Sequence, residues 1–436
     1  MRISEDMKMT NILSDLTRTM TRMLKTQTDI STTKRIHQPS DDPSGTAQLM
    51  RLKNTDHRYE QYQKSVEDAT YWVTATESTL NQGIDVITDA NNILLQAGND
   101  TLGPSERSTL SGQMQALWEK TAQLANQKFE NKYLMGGTNY LTPPYELTDE
   151  ITGESYTAAF DSVYLDNVRL ESGTLEVEEQ YAEGADFSID YLTGEIQTLG
   201  AGSMTDGATY LISYETPSGT VEDEAFVADM ANPVSLSQSP VNAGSVTVRR
   251  VFEEGVDYTV DYAKGAITAL DTGSLADGGS YLVNYQTEFP SVATLNPDGV
   301  NGAINRKIDE GTSMQINFSA TDFIGSSDDL LNRLKEATIA LERNDTSQFT
   351  ELRSGLDDDL NRITRLLGEV GVKADRLDFT GQKLDTDSVN LRKLISSIED
   401  TDVAAAILQL DQDEAIYNAA LKTGAQLIKT TLLDYI

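Results

Sequence analysis

Apolar residues recur near the start of the chain at alternating steps of four and three: Met9, Leu13, Leu16, Met20 and Met23, then Gln27 as a polar interruption, then Ile30. This seven-residue rhythm predicts a helix with a narrow apolar seam. A second seam runs Tyr59, Tyr62, Val66, Ala69, Val73, Thr76, Leu80, Gly83, Ile87, Ala90, Leu94, Ala97 with the same alternation. It predicts one helix from about Pro43 to Ala97, roughly 80 Å long at ~1.5 Å per residue. Helices of that length belong to coiled bundles more than to globular cores. The stretch "GNDTLGPSER", Gly98 to Arg107, reads as a turn, with Pro104 suited to the first turn of a third helix. That helix carries Leu110, Met114, Leu117, Thr121 and Leu124.

The C-terminal part mirrors the first. Leu356, Leu360, Ile363, Leu367, Val370, Ala374, Leu377, Gly381, Leu384, Ser388, Leu391, Ile395 and Ile398 hold the four-three rhythm. Asp400, Thr401 and Asp402 then offer N-caps for a last helix carrying Val403, Ile407, Leu410, Tyr417, Leu421 and Ile428.

The middle changes period. Segments such as "YTVDYAKGAITAL" alternate every second residue, as strands do. An internal repeat is also present: the 35 residues from Tyr181 align without gaps on those from Phe252, always 71 apart, with Gly184 on Gly255, Asp190 on Asp261, Gly194 on Gly265 and Tyr210 on Tyr281. "DYLTGEI" and "DYAKGAI" read as hairpins in which Gly194 and Gly265 supply positive φ. The expected fold class is α+β multidomain. Long N- and C-terminal helices form a coiled-coil or helical bundle, and an inserted all-β region holds two repeated small β units. The segments expected are 1–42, an N-terminal helix used in assembly; 43–140, the first part of the bundle; 141–300, the β insert, with repeats at about 161–214 and 232–285; 301–400, return strands and the second part of the bundle; and 401–436, a C-terminal assembly helix.

Charge sharpens this picture. The chain has 436 residues and a formal net charge of −35. From Leu141 to Gly325 there are 6 Lys and Arg against 31 Asp and Glu, a net of −25, so the excess sits in the insert. Such a field argues against nucleic acid as a partner and against adsorption to anionic membranes. No apolar run reaches about 18 residues, so membrane insertion is not expected. The start, "MRISEDMKMTNILSDL", lacks the apolar core of a cleaved signal. The expectation is a cytoplasmic protein or one that leaves the cell without a cleaved signal. Cysteine is absent, which removes thiol chemistry and disulfides.

Candidate chemistry is sparse. The segment "KRIHQPSDDPSGTAQ", Lys34 to Gln48, gathers His37, Ser40, Asp41 and Asp42. A triad of Ser40, His37 and Asp41 is conceivable on paper, but a triad needs side chains converging from a rigid scaffold. The mechanical reading fits better. Pro39 and Pro43 disfavour helix at the residues before them. Asp42 then caps a helix that begins at Pro43, and Asp41 and Asp42 suit its positive end. The helix break is therefore assigned to Pro39, Asp41, Asp42 and Pro43. The only histidines, His37 and His57, fit no metal-ligand spacing. The Asp-Gly and Asp-Tyr pairs of the repeats lack the dense alternation of a calcium loop. The acidic residues of the insert are too many for any carboxylate pair to stand out as a glycosidase site. No catalytic, metal or cofactor residue is nominated, and the chain is not expected to be an enzyme. The terminal helices carry apolar residues around much of their circumference, at Leu408, Ala415, Ile416, Leu427, Leu432 and Leu433. Left alone they would be poorly buried. Leu13, Leu16, Met20, Met23, Ile30, Val403, Ile407, Leu410, Tyr417, Leu421 and Ile428 are the candidate assembly interface.

A family resemblance follows from these motifs. "MRIS", "KRIHQPSDDPSGTAQLMRL", "NKYLMGGTN" (Asn131 to Asn139), "LGEVGVKADRLD" (Leu367 to Asp378) and "TGAQLIKTTLLDYI" (Thr423 to Ile436) resemble the flagellin superfamily, and within it the hook-associated protein 3 family. The resemblance covers about 1–140 and 300–436 and leaves the β repeats uncovered. It implies a secreted structural component of the bacterial flagellum, exported by the type III apparatus, that joins hook to filament and folds as it assembles. It also implies partners: hook-associated protein 1, flagellin, further copies of itself in a ring-like layer, and an export chaperone. The alternatives are a filament flagellin or other axial protein and, from another class, a surface- or glycan-binding module in the β insert.

Overall fold

The computed structural model describes residues 5–99, 101–326 and 329–433, with side chains except at 5, 6, 8, 329 and 426–433. Helices α1 (Glu5–Thr32), α2 (Pro43–Ala97) and α3 (Pro104–Ala125) come first. β1 (Lys128–Phe129) and β2 (Lys132–Tyr133) make a short hairpin, and β3 (Tyr145–Thr148) opens the insert. In the structure each repeat reaches further toward the N-terminus than about 161 and 232, because β4 and β10 also correspond at close to the 71-residue offset; the first repeat supplies β4 (Glu150–Thr157), β5 (Val163–Tyr164), β6 (Glu176–Tyr181), β7 (Phe187–Asp190), β8 (Glu195–Thr198) and β9 (Thr209–Thr216). The second supplies β10 (Gly219–Val227), β11 (Val234–Ser235), β12 (Thr247–Phe252), β13 (Tyr258–Asp261), β14 (Ala266–Ala269) and β15 (Ser280–Gln286). β16 (Val292–Leu295) pairs with β3, and β17 (Asn305–Asp309) pairs with β18 (Thr312–Gln315). Helices α4 (Ala320–Ile324), α5 (Asp329–Glu342), α6 (Phe349–Glu399) and α7 (Val403–Leu433) follow. The α+β class read from the sequence is the class observed.

The chain forms two compact units, Met1–Tyr71 with Asn305–Gln315 and Lys373–Ile436, and Trp72–Ile304 with Ile316–Val372. In the second unit the seam of α2 is buried throughout: Val73, Thr76, Leu80, Ile87, Ala90, Leu94 and Ala97 are each at most 1% exposed. Full burial of a Leu or Ile contributes about 1.5–3 kcal/mol, so this stripe holds the helix in place where intrinsic propensity would not. Gly83 sits in the stripe because a side chain has no room: a Cβ there would lie 2.6 Å from Phe323 Cε2. α3 packs on α5, tied by Ser108 to Glu342 (2.7 Å) and by Ser111 to the Thr338 carbonyl (3.2 Å).

The insert is built on one six-stranded sheet in the order β10-β9-β12-β6-β15-β4, flanked by two three-stranded sheets, β11-β8-β7 and β13-β14-β5. The two small β units expected from the repeat are present, but their boundary is not the repeat boundary. One core gathers Tyr156, Leu165 and Val177 of the first copy with Phe252, Tyr258, Ile267 and Tyr285 of the second. The other gathers Tyr181, Phe187, Ile196 and Tyr210 of the first with Phe226, Leu236 and Val248 of the second. The hairpin β7–β8 of copy one is completed by β11 of copy two, and β13–β14 of copy two by β5 of copy one. At the centre β6 and β12 run antiparallel, with Glu179 opposite Arg250. Those two residues are also 71 apart, so equivalent positions face each other across a local two-fold axis. The copies have exchanged strands within one chain. Both repeat hairpins turn through a positive-φ glycine, Gly194 at 71° and Gly265 at 59°.

Candidate assembly surface

Within the first unit, α1 ends at Thr32 and α2 begins at Pro43. Pro39 stands in a turn closed by the Asp41 N–H donating to the Gln38 carbonyl (3.0 Å), the position where a fixed φ suits proline. Asp42 Oδ1 accepts the Gly45 N–H (2.9 Å), with Pro43 as the first helical residue. One Asp41 oxygen accepts the backbone N–H groups of His37 and Gln38 (3.0 Å each), and the other meets Lys25 Nζ at 3.1 Å. These bonds, the His37 N–H first, hold the Asp41 carboxyl at a pKa of about 2. The Gly45 N–H likewise lowers that of Asp42. The His37 ring turns away to Asp29 Oδ1 (2.7 Å), so Asp41 meets the His37 backbone and not its imidazole. The segment is wired as a corner, with its carboxylates spent on backbone amides.

A second corner, between α6 and α7, lies against the first. The Arg35 N–H donates to the Glu399 carbonyl (2.7 Å) and the Thr401 N–H to the Thr33 carbonyl (3.0 Å). Glu399 Oε1 accepts from Lys34 Nζ (2.6 Å) and Lys53 Nζ (2.9 Å). Burial would raise the pKa of Glu399, but the two ammonium groups outweigh it and the net shift is downward. Asp402 caps α7 by accepting the Ala404 and Ala405 N–H groups. Sequence reasoning saw the cap but missed Glu399, which stands in an unremarkable "SSIED" stretch.

α1 and α7 pack along each other. The covered positions of α1 are Ile12, Leu16, Thr19, Met23, Thr26 and Ile30, with Asp29 partly covered beside His37, and those of α7 are Ala406, Leu410, Asp413, Tyr417, Ala420 and Gly424. Of the residues assigned to assembly, Leu16, Met23, Ile30, Leu410 and Tyr417 therefore lie partly covered along this pair. Leu13 (57% exposed), Met20, Val403, Ile407 and Leu421 face outward, joined by Met9, Leu24, Leu408 and Ile416. The Ile428 side chain lies outside the described residues. Sequence reasoning missed Thr19, Asp413 and Gly424. For Asp413 the signal was the seven-residue gap between Leu410 and Tyr417, whose missing seam position it fills.

The acidic insert uses carboxylates as the corners do. Asp186 accepts the Ala182 and Ser203 N–H groups (2.8 and 2.7 Å). Its repeat equivalent Asp257 accepts those of Glu253 and Ser274 (2.8 and 2.7 Å). Burial pushes both carboxyls up, and the amides more than offset it. No helix among the described residues is long and apolar enough to cross a membrane.

Comparison with known proteins places both helical ends. The bacterial flagellin N-terminal helical region matches residues 3–140 and its C-terminal helical region matches 354–436, together just over half the chain. The chain belongs to the flagellin superfamily. Among its relatives, this flagellin-like chain is 31% identical over 154 residues to flagellar hook-associated protein 3 of Salmonella typhimurium, covering 35% of this chain and 48% of that protein. It is 30% identical over 146 residues to the Escherichia coli protein of the same name, covering 33% and 46%. The chain thus spans about half the length of these curated relatives. A flagellin of Clostridium tyrobutyricum is 19% identical over 432 residues, 97% of this chain and 98% of that one. Solved structures include a hook-associated protein from Vibrio parahaemolyticus (11% identity, TM-score 0.45, 83% of this chain and 100% of that chain) and Bacillus cereus FlgL (13%, 0.40, 79% and 99%).

Proposed function

We propose that this protein is a structural, non-enzymatic component of the bacterial flagellum that joins hook to filament. The observation that carries the reading is the outward apolar face of the α1/α7 pair, in a chain about a third of which aligns with hook-associated protein 3 of two bacteria at about 30% identity. Exposed apolar surface of this kind marks a site of association. Docking on a preceding layer of subunits buries it, at about 25 cal/mol per Å² of apolar area. Folding of the terminal pair is thereby coupled to assembly.

The partners on this reading are hook-associated protein 1 on one side, flagellin on the other, further copies of the same chain within a ring-like layer, and an export chaperone before secretion. The corner at Pro39–Pro43 sets the angle between the assembling helix and the bundle. The acidic insert coats the outside and keeps neighbouring outer domains apart by like charge. The near full-length alignment with a flagellin favours a second reading, a filament subunit.

Deletion of the gene, followed by electron microscopy of cells and medium, tests the proposal. Hooks without filaments, with flagellin lost to the medium, are expected. Immunogold label on the restored protein should mark the hook end alone. Label running along the filament establishes the flagellin reading, and normal filaments in the deletion overturn both.

A further inference from the structure

We infer that Asp413 is the positioning residue that fixes the register of α7 on α1, through Arg22. The inference deepens the assembly reading above, because register decides which apolar residues face outward, but its primary test does not depend on that reading.

Three points along the pair define one antiparallel register. A Cβ added at Gly424 would lie 3.5 Å from Ile12 Cγ2. Arg22 Nη2 lies 3.3 Å from Asp413 Oδ1. The Thr401 N–H donates to the Thr33 carbonyl. In each pair the two residue numbers add to nearly the same total, so the helices run past one another without a skip. The seam between these points is mostly Ile, Leu, Met, Thr, Ala and Tyr at heptad spacing. Once the Thr401–Thr33 bond at the corner opens, such a seam can slide by whole heptads with little change in its layers, and a buried polar residue within it is the device that pins it.

Asp413 is that residue. It is 1% exposed, and its other oxygen is held by Gln409 Nε2 at 3.2 Å. A slip of one heptad in either direction replaces Arg22 as its neighbour by the residue seven positions away. Those residues are Asp15 and Asp29. Both slipped registers therefore set two carboxylates against each other around a buried charge, and only the observed register offers a cation. Shifts of half a heptad would bring Arg18 or Lys25 near, but they interchange the alternating layers of the seam. The second also draws Lys25 from Asp41, which it meets at 3.1 Å, and both remove Gly424 from Ile12. A slip of seven residues moves the outward face by ~10.5 Å, enough to misalign every apolar contact on it.

The cysteine-free chain permits a direct test by disulfide trapping. Leu16→Cys with Ala420→Cys reports the observed register, and Met9→Cys with Ala420→Cys reports a one-heptad slip. In an otherwise unaltered chain only the first pair should oxidise within the chain, read by mass spectrometry after proteolysis. Adding Asp15→Arg with Arg22→Asp moves the cation one heptad and should transfer cross-linking to the second pair, with at least a tenfold change in their ratio. Circular dichroism confirms that the helices persist. Asp413→Leu, which removes the charge, should let both pairs form. Cross-linking that stays with Leu16–Ala420 in the charge-moved chain overturns the inference, as does equal cross-linking of both pairs in the unaltered one. The slipped variant should also fail to restore filaments in deleted cells. The cross-link ratio stands whatever the protein assembles with.

Discussion

Replacing Glu399 by alanine removes the one side chain that both lysines near the first corner share. Lys34 and Lys53 each donate to the same oxygen, Oε1, at 2.6 and 2.9 Å. A hydrogen bond to a charged group contributes about 1.5–3 kcal/mol when well shielded, and an exposed ion pair about 0.2–1 kcal/mol. The Glu399 side chain is 8% exposed, but the lysines are 47% and 42% exposed. Each bond therefore belongs near the lower range, and after the substitution both ammonium groups return to water without leaving a buried charge. The expected loss is about 1–2 kcal/mol, a factor of about five to thirty in the local opening equilibrium. Amide hydrogen exchange at Arg35 and Thr401 reads it directly, because their N–H groups bridge the two corners. Trp72 and Trp118 lie in the other compact unit, so unfolding followed by fluorescence should be unchanged. The pH dependence has a definite sign. Glu399 has a lowered pKa in the folded chain. Its contribution is complete above the unfolded value of about 4.3 and is lost as pH falls through the lower folded value. The excess protection of the native chain over Glu399→Ala should be flat from pH 8 to about 5 and vanish in acid. Protection at Arg35 and Thr401 within twofold of native at pH 7 would refute the assignment of Glu399 as the clasp.

Two glycines in long helices should respond oppositely to alanine. Gly371→Ala on α6 meets nothing within 4 Å and should stabilise by about 1 kcal/mol through helix propensity. Gly83→Ala gains the same propensity but drives a Cβ to 2.6 Å from buried Phe323, an overpacking cost of about 1–3 kcal/mol, so its denaturation midpoint should not rise. Removing one repeat period, residues 181–251, joins Gln180 to Phe252 and leaves a single copy. The deletion keeps every residue of the core around Tyr156 and Tyr285, so the outcome rests on β6: if it stays straight across the Gln180–Phe252 junction it carries Phe252 into the core of a second chain, and the protein should elute as a dimer by light scattering. A folded monomer with intact strand content would show that one copy closes on itself.

The helices were legible because their signal is local. The alternation of four and three states which face is buried, and Pro43, Ala97 and Pro104 stand at the ends of α2 and the start of α3 as punctuation predicts. The corner chemistry was legible for the same reason: Asp42 and Pro43 are neighbours in sequence and act on the next turn. What sequence left unread depends on distant partners. Glu399 matters only because Lys34 and Lys53, more than 340 positions away, reach it. Asp413 matters only because Arg22 lies opposite. Leu13 and Leu16 look alike in the seam, yet Leu13 is 57% exposed and Leu16 is partly covered. A heptad stripe shows that a face is apolar, and the partner helix decides which half of the stripe it takes.

The repeat shows the same limit at larger scale. A period of 71 residues with matched turns states that two copies share a fold, and gapless alignment places the strands it spans. It does not state which copy a strand pairs with, because equivalent strands offer the same alternation of apolar and polar residues to either core. Here the choice is made by β6 and β12. Each runs straight through the local two-fold axis, so Val177 and Tyr181 at the ends of one strand enter different cores. A turn at Glu179 would have returned the chain to its own copy, but "EVEEQY" contains no glycine or proline to make one. The straightness of that short strand therefore dictates the exchange. It ties Tyr156 to Tyr281 and Val163 to Ile267 across more than a hundred residues, where the helical ends rely on the local repeat of their seams.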